Sequence, residues 1–185
     1  MVSIEYATTL INPKYNHVLE FGVFQGSTIS MIRNLLDDNY KVFGFDSFEG
    51  LPEDWINTPC NKGCFTTNGL VPNIDGVKFF KGWFEETIPE YLKDPDTAGL
   101  DTIGLLHIDC DLYSSTKTIF KYLYPYIKSG TIIAFDEWCY NFDESFNDHE
   151  QKAFYEYVEE HDIKFEFVEF LDPEKTVERK IVRIL

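Results

Sequence analysis

The sequence predicts an α/β chain with a doubly wound, mostly parallel sheet and one antiparallel strand. Three observations predict it. Apolar runs of strand length alternate with helical apolar spacing along most of the 185 residues. The first run, His17–Phe21, passes through Gly22 and Gly26 straight into a helical pattern. Acids stand at the ends of the runs, at Glu20, Asp46, Asp109, Asp136 and Glu137, and the strand interiors are predicted free of charge. In an open α/β sheet the ligand crevice lies outside the carboxyl ends of the strands.

Taken in order, residues 1–16 read as short and mixed, with a turn at Asn12-Pro13 before the first strand. After that strand the glycines let backbone approach a ligand without an intervening Cβ. Ser27 is expected as the N-cap of a helix to about Asp38, with Ile29, Ile32 and Leu36 on one face. Lys41–Phe45 is the second strand. Asp46 follows it, where an acid can accept from both ribose hydroxyls of a nucleotide. Ser47 can cap the next segment and leave Asp46 free. Residues 53–73 lose all periodicity, and an irregular stretch this long points to a lid or substrate loop.

The third strand, Val77–Phe80, leads to Gly82 and Trp83 and a short helix near Glu85–Leu92. Trp83 has two readings, stacking on an adenine or closing the core. Thr102–Ile108 is almost wholly apolar, as a central parallel strand should be. Ser114 or Ser115 is expected to cap the helix that carries Ile119, Phe120 and Leu123. The fifth strand is Thr131–Phe135, ending in Asp136 and Glu137. A loop over 139–148 leads to a helix from His149 to His161. Phe165–Phe170 and Thr176–Leu185 meet around Asp172-Pro173 without a helix between them, so they should be antiparallel.

Length fits one domain over residues 1–185 with a sizeable core. A net charge of −16 argues against nucleic acid and anionic membrane surfaces as partners. The N-terminus lacks the basic start and apolar core of a signal peptide, and no run is long enough to span a bilayer. A cytoplasmic location with free thiols is the expectation for Cys60, Cys64, Cys110 and Cys139; a Cys60–Cys64 disulfide stays open. Their spacing offers no second pair or His for zinc.

Two features carry chemistry. The stretch Glu20-x-Gly22-x-x-x-Gly26 lacks the G-x-G-x-x-G of a pyrophosphate loop, and Glu20 would repel phosphate. A carboxylate there suits a cationic ligand bearing hydroxyls. The stretch resembles motif I of class I S-adenosylmethionine (SAM) methyltransferases. The second feature is the acidic group Asp109, Asp111, Asp136 and Glu137 on two strands expected to be neighbours across the switch point. Such acids repel unless a hard cation such as Mg²⁺, Ca²⁺ or Mn²⁺ holds them together, or else they are caps and solvated acids. His107, on a buried strand, reads as a satisfied core histidine, and His149 as an exposed helix-start residue.

Four stretches in order, Gly44–Pro52, Gly82–Thr87, Asp109–Thr116 and Asp136-Glu137, resemble the macrocin O-methyltransferase family, over roughly Val18 to Val158. Its best-known members methylate sugar hydroxyls of antibiotics. The resemblance implies a Rossmann-like, SAM-dependent methyltransferase fold with a seven-stranded sheet in the order 3-2-1-4-5-7-6. It implies Mg²⁺ on Asp109, Asp136 and Glu137 and a general base at Asp111. It places SAM on Glu20, Gly22, Ser27, Asp46 and Ser47, with Gly26, Trp83 and Asp109 completing the expected cofactor site. Two departures stand out. The family more often has two aspartates where this chain has Asp136-Glu137, and its antibiotic-modifying members have a longer N-terminal helical region than Met1 to Asn16. A small or exposed sugar hydroxyl is then as plausible an acceptor as a macrolide. The alternatives are a metal-independent methyltransferase, a non-catalytic SAM- or carbohydrate-binding module, and a nucleotide-binding dehydrogenase. A homo-oligomer is compatible with the sequence.

Overall fold

The computed structural model describes residues 3–140, 148–170 and 177–185. Most of the expected loop at 139–148 and the turn at Asp172-Pro173 lie outside the described residues. The elements in chain order are α1 (Ser3–Thr9), β1 (His17–Phe21), α2 (Ser27–Leu35), β2 (Lys41–Asp46), β3 (Val77–Lys81) and α3 (Phe84–Tyr91). They continue with β4 (Ile103–Ile108), α4 (Tyr113–Leu123), β5 (Ile132–Tyr140), α5 (Glu150–His161), β6 (Phe165–Val168) and β7 (Val177–Ile184). Short 3₁₀ turns at Pro95–Thr97 and Tyr124–Tyr126 precede β4 and β5.

The seven strands lie in the order β3-β2-β1-β4-β5-β7-β6. β1 to β5 pair in parallel, and β7 runs antiparallel to both β5 and β6. This is the mostly parallel Rossmann-like sheet expected, with β7 as its one reversed strand. Strand order turns between β1 and β4, so the switch point lies there and not between β4 and β5.

Side-chain alternation along the strands separates two cores. On one face Leu19, Phe21, Phe43, Phe45, Leu106 and Phe135 pack against Ile88 and Tyr91 of α3, Ile119 and Phe120 of α4, and Phe154 and Tyr157 of α5. On the other, Val18, Val42, Leu105, Ile132 and Ile181 pack against Ile4 and Ala7 of α1 and Ile29 and Ile32 of α2. Each fully buried Phe or Ile is worth about 1.5–3 kcal/mol relative to exposure. The Phe120 and Tyr157 rings stack at 4.5 Å and join α4 to α5.

Several local expectations are corrected. The short, mixed N-terminal stretch contains α1, whose seven residues carry the pair Ile4 and Ala7, too brief a pattern to register as periodic. Ser27 is the first helical residue of α2, and the capping position is Gly26, held at φ 84° with no side-chain cap. Leu112 takes the capping position of α4 and also makes no side-chain cap, so neither Ser114 nor Ser115 serves. α2 stops at Leu35 because Leu36 is extended. β5 runs five residues past Phe135, drawn on by pairing with β7, and its register shifts between Phe135 and Cys139. No helix among the described residues is long and apolar enough to cross a membrane.

Candidate functional site

A cavity of about 840 Å³ opens at the carboxyl ends of β1, β2, β4 and β5. Gly22, Ser27, Asp46, Ser47, Trp83, Asp109, Asp111 and Glu137 all line it, as the sequence led us to expect. Three expected residues do not. Gly26 is buried behind the turn, against Pro72 and Ile74. Asp136 and Glu20 stand outside the cavity wall.

The Gly22 turn defines the floor. A Cβ on Gly22 would stand 1.7 Å from the Asp109 carbonyl oxygen, and the residue sits at φ 93°. Asp109 N–H donates to the Phe21 carbonyl at 2.9 Å, which draws the ends of β1 and β4 together. Asp46 closes the same turn from β2. One of its oxygens accepts from Val23 N–H and Phe24 N–H at 2.8 Å each, and the other from Phe48 N–H at 2.7 Å. Asp46 is therefore not left free by Ser47, whose hydroxyl instead accepts from Glu49 N–H and donates to the Gly50 carbonyl. A carboxylate has about four acceptor positions, so roughly one remains toward the cavity.

Glu20 corrects a second expectation. It lies inside β1, 1% exposed, and its carboxylate meets His107 Nδ1 of β4 at 3.1 Å. Charge therefore does occur within the strands. Burial opposes an imidazolium at His107, but the Glu20 hydrogen bond and the surrounding acids outweigh it and push the pKa up to about 9. His107 is the satisfied core histidine expected, hydrogen-bonded to Glu20, whose own pKa burial raises. His149 is half-buried, not exposed, and its ring meets Trp55 edge-on at 6.1 Å.

The acids gather as anticipated. Oxygens of Asp109, Asp136 and Glu137 all lie within 4.8 Å of one another. Burial, then neighbouring acids, raises the pKa of Glu137 well above the carboxylate range. For Asp109 burial is again the main cause of a strong rise, which His107 opposes and Asp136 reinforces. Asp111, 8% exposed and held at φ 64°, is pushed up to about 7 by burial and then by Asp136 and Asp46. A left-handed aspartate is a modestly strained conformation of the kind that collects at functional sites.

Two residues in this centre had no motif to announce them. Arg179 of β7 grips Asp136, its Nε donating to Oδ1 at 2.6 Å and an Nη to Oδ2 at 3.3 Å. Glu150, at the first turn of α5 and 0% exposed, receives Cys110 N–H at 3.3 Å on one oxygen and Glu137 N–H at 3.4 Å on the other. Only the antiparallel register of β7 and the docking of α5 bring them here.

The donor set fits a hard divalent cation. It consists of carboxylate oxygens alone, and one of them, Glu137 Oε2, is buried with no hydrogen-bond partner among the described residues.

Residues 47–76 form the rim and contain neither helix nor strand. They are nonetheless tied internally: Leu51 N–H reaches the Cys64 carbonyl, Gly63 N–H the Leu51 carbonyl, and Trp55 N–H the Cys60 carbonyl, each at 2.9 Å. Leu51 and Trp55 pack on Leu112, with the free thiols of Cys60 and Cys64 beside them. Glu53 accepts a 2.5 Å hydrogen bond from the Ser114 hydroxyl, joining this rim to α4 across the cavity. Trp83 is half-buried in the cavity wall, while Phe84 beside it packs on the core.

A family profile described as a methyltransferase domain matches residues 19–138. The chain is 26% identical over 178 residues to mycinamicin III 3''-O-methyltransferase of Micromonospora griseorubida, covering 82% of this chain and 64% of that one. It is 28% identical over 143 residues to demethyldecarbamoylnovobiocin O-methyltransferase of Streptomyces niveus, covering 65% and 52%. The chain thus spans between half and two thirds of the length of these curated relatives. Among solved structures, the calicheamicin methyltransferase CalS11 superposes with a TM-score of 0.69 at 23% identity, covering 97% of this chain and 75% of that one.

Proposed function

The chain belongs to the methyltransferase-domain family, and from that premise we propose that it is a SAM-dependent O-methyltransferase acting on a hydroxyl of a sugar or glycosylated small molecule. The observation that carries this reading is the meeting of two features in one cavity: a glycine floor at Gly22 beside Asp46, and the acids Asp109, Asp111 and Glu137. The two relatives above are by name O-methyltransferases, one of mycinamicin III at its 3'' position and one of demethyldecarbamoylnovobiocin, which supports a small-molecule hydroxyl as acceptor.

SAM, when bound, supplies a methyl group on a sulfonium that an oxygen nucleophile can attack. Gly22 gives it backbone room, Asp46 offers its remaining acceptor position to a ribose hydroxyl, and Ser27, Ser47 and Trp83 bound the rest of its site. Trp83 offers a ring face for the adenine. A Mg²⁺ ion would be held by Asp109, Asp136 and Glu137, and would lower the pKa of an acceptor hydroxyl beside it. Asp111 takes that hydroxyl's proton on its carboxylate oxygen. Residues 53–73 act as the lid: Glu53, Lys62 and Phe65 line the cavity from this segment, and closure there would exclude water from the transfer. Glu20 is left outside the cofactor contacts and serves the sheet through His107.

The test is calorimetric titration with S-adenosylhomocysteine, followed by transfer of labelled methyl from SAM to a panel of nucleotide sugars and glycosides, with Mg²⁺ or with chelator. Binding and Mg²⁺-dependent labelling are the expected result. No S-adenosylhomocysteine binding would overturn the reading, and transfer indifferent to chelator would remove the metal from it.

A further inference from the structure

Glu150 has no place in the chemistry described so far, yet it is wholly buried among acids. Asp111, Asp109 and Asp136 all bear on it electrostatically. Burying a carboxyl in such surroundings works against stability. Its two hydrogen bonds show what the position gains. One oxygen holds the N–H of Cys110, directly after Asp109, and the other holds the N–H of Glu137. Those two amides lie just past Ile108 and Phe135, where the pairing of β4 with β5 stops, one beyond the end of β4 and the other inside β5. Beyond that point the sheet no longer fixes the distance between Asp109 and Glu137. The residue that spans the gap is itself fixed, because α5 is anchored in the core by Ala153, Phe154 and Tyr157.

We propose that Glu150 is a positioning residue: the two oxygens of its carboxyl group clamp the backbone at Cys110 to the backbone at Glu137 and so set the spacing of the acidic centre for a divalent cation. The inference rests on the metal reading given above. Side-chain shape supports it, since one amide must be met by each oxygen. Glutamine keeps the shape but offers only one acceptor oxygen, and alanine offers none.

The experiment uses Mn²⁺ as the probe, followed by the loss of its free-ion electron paramagnetic resonance signal. S-adenosylhomocysteine is titrated calorimetrically in parallel, for the wild type, Glu150→Gln and Glu150→Ala. In both variants Mn²⁺ affinity should fall by about 10- to 100-fold, the effect typical of groups that orient metal ligands. Glu150→Ala should lose more than Glu150→Gln, and S-adenosylhomocysteine affinity should stay within about twofold of wild type, a small change for a site whose contacts are untouched. The Mn²⁺ concentration for half-maximal transfer should rise in step, with kcat largely recovered at saturation. Wild-type Mn²⁺ affinity in the variants overturns the proposal alone. So does a parallel fall of Mn²⁺ and S-adenosylhomocysteine affinity, which would make Glu150 a general support of the fold. Absence of Mn²⁺ binding by the wild type removes the metal reading itself, and this proposal with it. If Glu150→Ala does not fold, the isosteric Glu150→Gln decides between these outcomes.

Discussion

Gly22 and Asp109 touch backbone to backbone across the switch point: a Cβ on the glycine would overlap the aspartate carbonyl oxygen at 1.7 Å. No rotamer change relieves a clash with main chain. Gly22→Ala should therefore cost about 3 kcal/mol or more, from overpacking and from the unfavourable positive φ together. The check is a thermal melt, where a fall of roughly 6–12 °C is expected for a domain of this size. S-adenosylhomocysteine binding should weaken with it.

Asp111→Asn keeps the size of the side chain and removes its ability to take a proton. Turnover should fall by about 10²–10⁴-fold, with S-adenosylhomocysteine affinity nearly unchanged by calorimetry. Activity at the wild-type level would take Asp111 out of the mechanism.

Arg179 supplies positive charge to the crowded acids by gripping Asp136. Its replacement by Met leaves that crowd without it. The ion-free protein should lose about 1–3 kcal/mol, less than a fully buried pair because both side chains keep some exposure. Added Mn²⁺ should restore part of the loss in a thermal-shift assay. Equal melting of variant and wild type in chelator would show that the pair contributes nothing.

Glu20→Ala tests whether Glu20 serves the sheet or the ligand. Removing one partner of the buried Glu20–His107 pair strands the other, at a cost of about 3–5 kcal/mol. Chemical denaturation should show that loss. A variant of unchanged stability that no longer binds S-adenosylhomocysteine would return Glu20 to the cofactor site.

His17, stacked on Phe43 and hydrogen-bonded to the Tyr91 hydroxyl, has its pKa lowered to about 4, by burial first and by Lys41 second. Between its unfolded value near 6.5 and about 4, the unfolded chain binds a proton that the folded chain does not. This contribution to stability is thus fully present above pH 6.5 and declines as pH falls to about 4. Melting temperature measured across that window should drop less steeply for His17→Asn than for the wild type.

The alternation of strands and helices, the bounds of β1, the parallel core and the reversed final strand were legible in the sequence, because burial imposes a period of two or of about 3.6 on the residues themselves. So were Gly22, Asp46, Asp109 and Asp111, which sit at strand ends where an α/β sheet binds its ligands. Tertiary structure alone decided the rest. Glu20 reads as a ligand-facing acid, and only the register of β1 and β4 shows that one of its oxygens meets His107. Asp136 and Glu137 are adjacent, and in a regular strand they would face opposite sides of the sheet. The register shift in β5 accompanies their gathering with Asp109. Arg179 and Glu150 carry no local signal, since they reach the centre from 43 and 40 residues away through strand pairing and helix docking. Local periodicity is written by burial along the chain, whereas a contact between distant residues exists only once packing has fixed which surfaces meet.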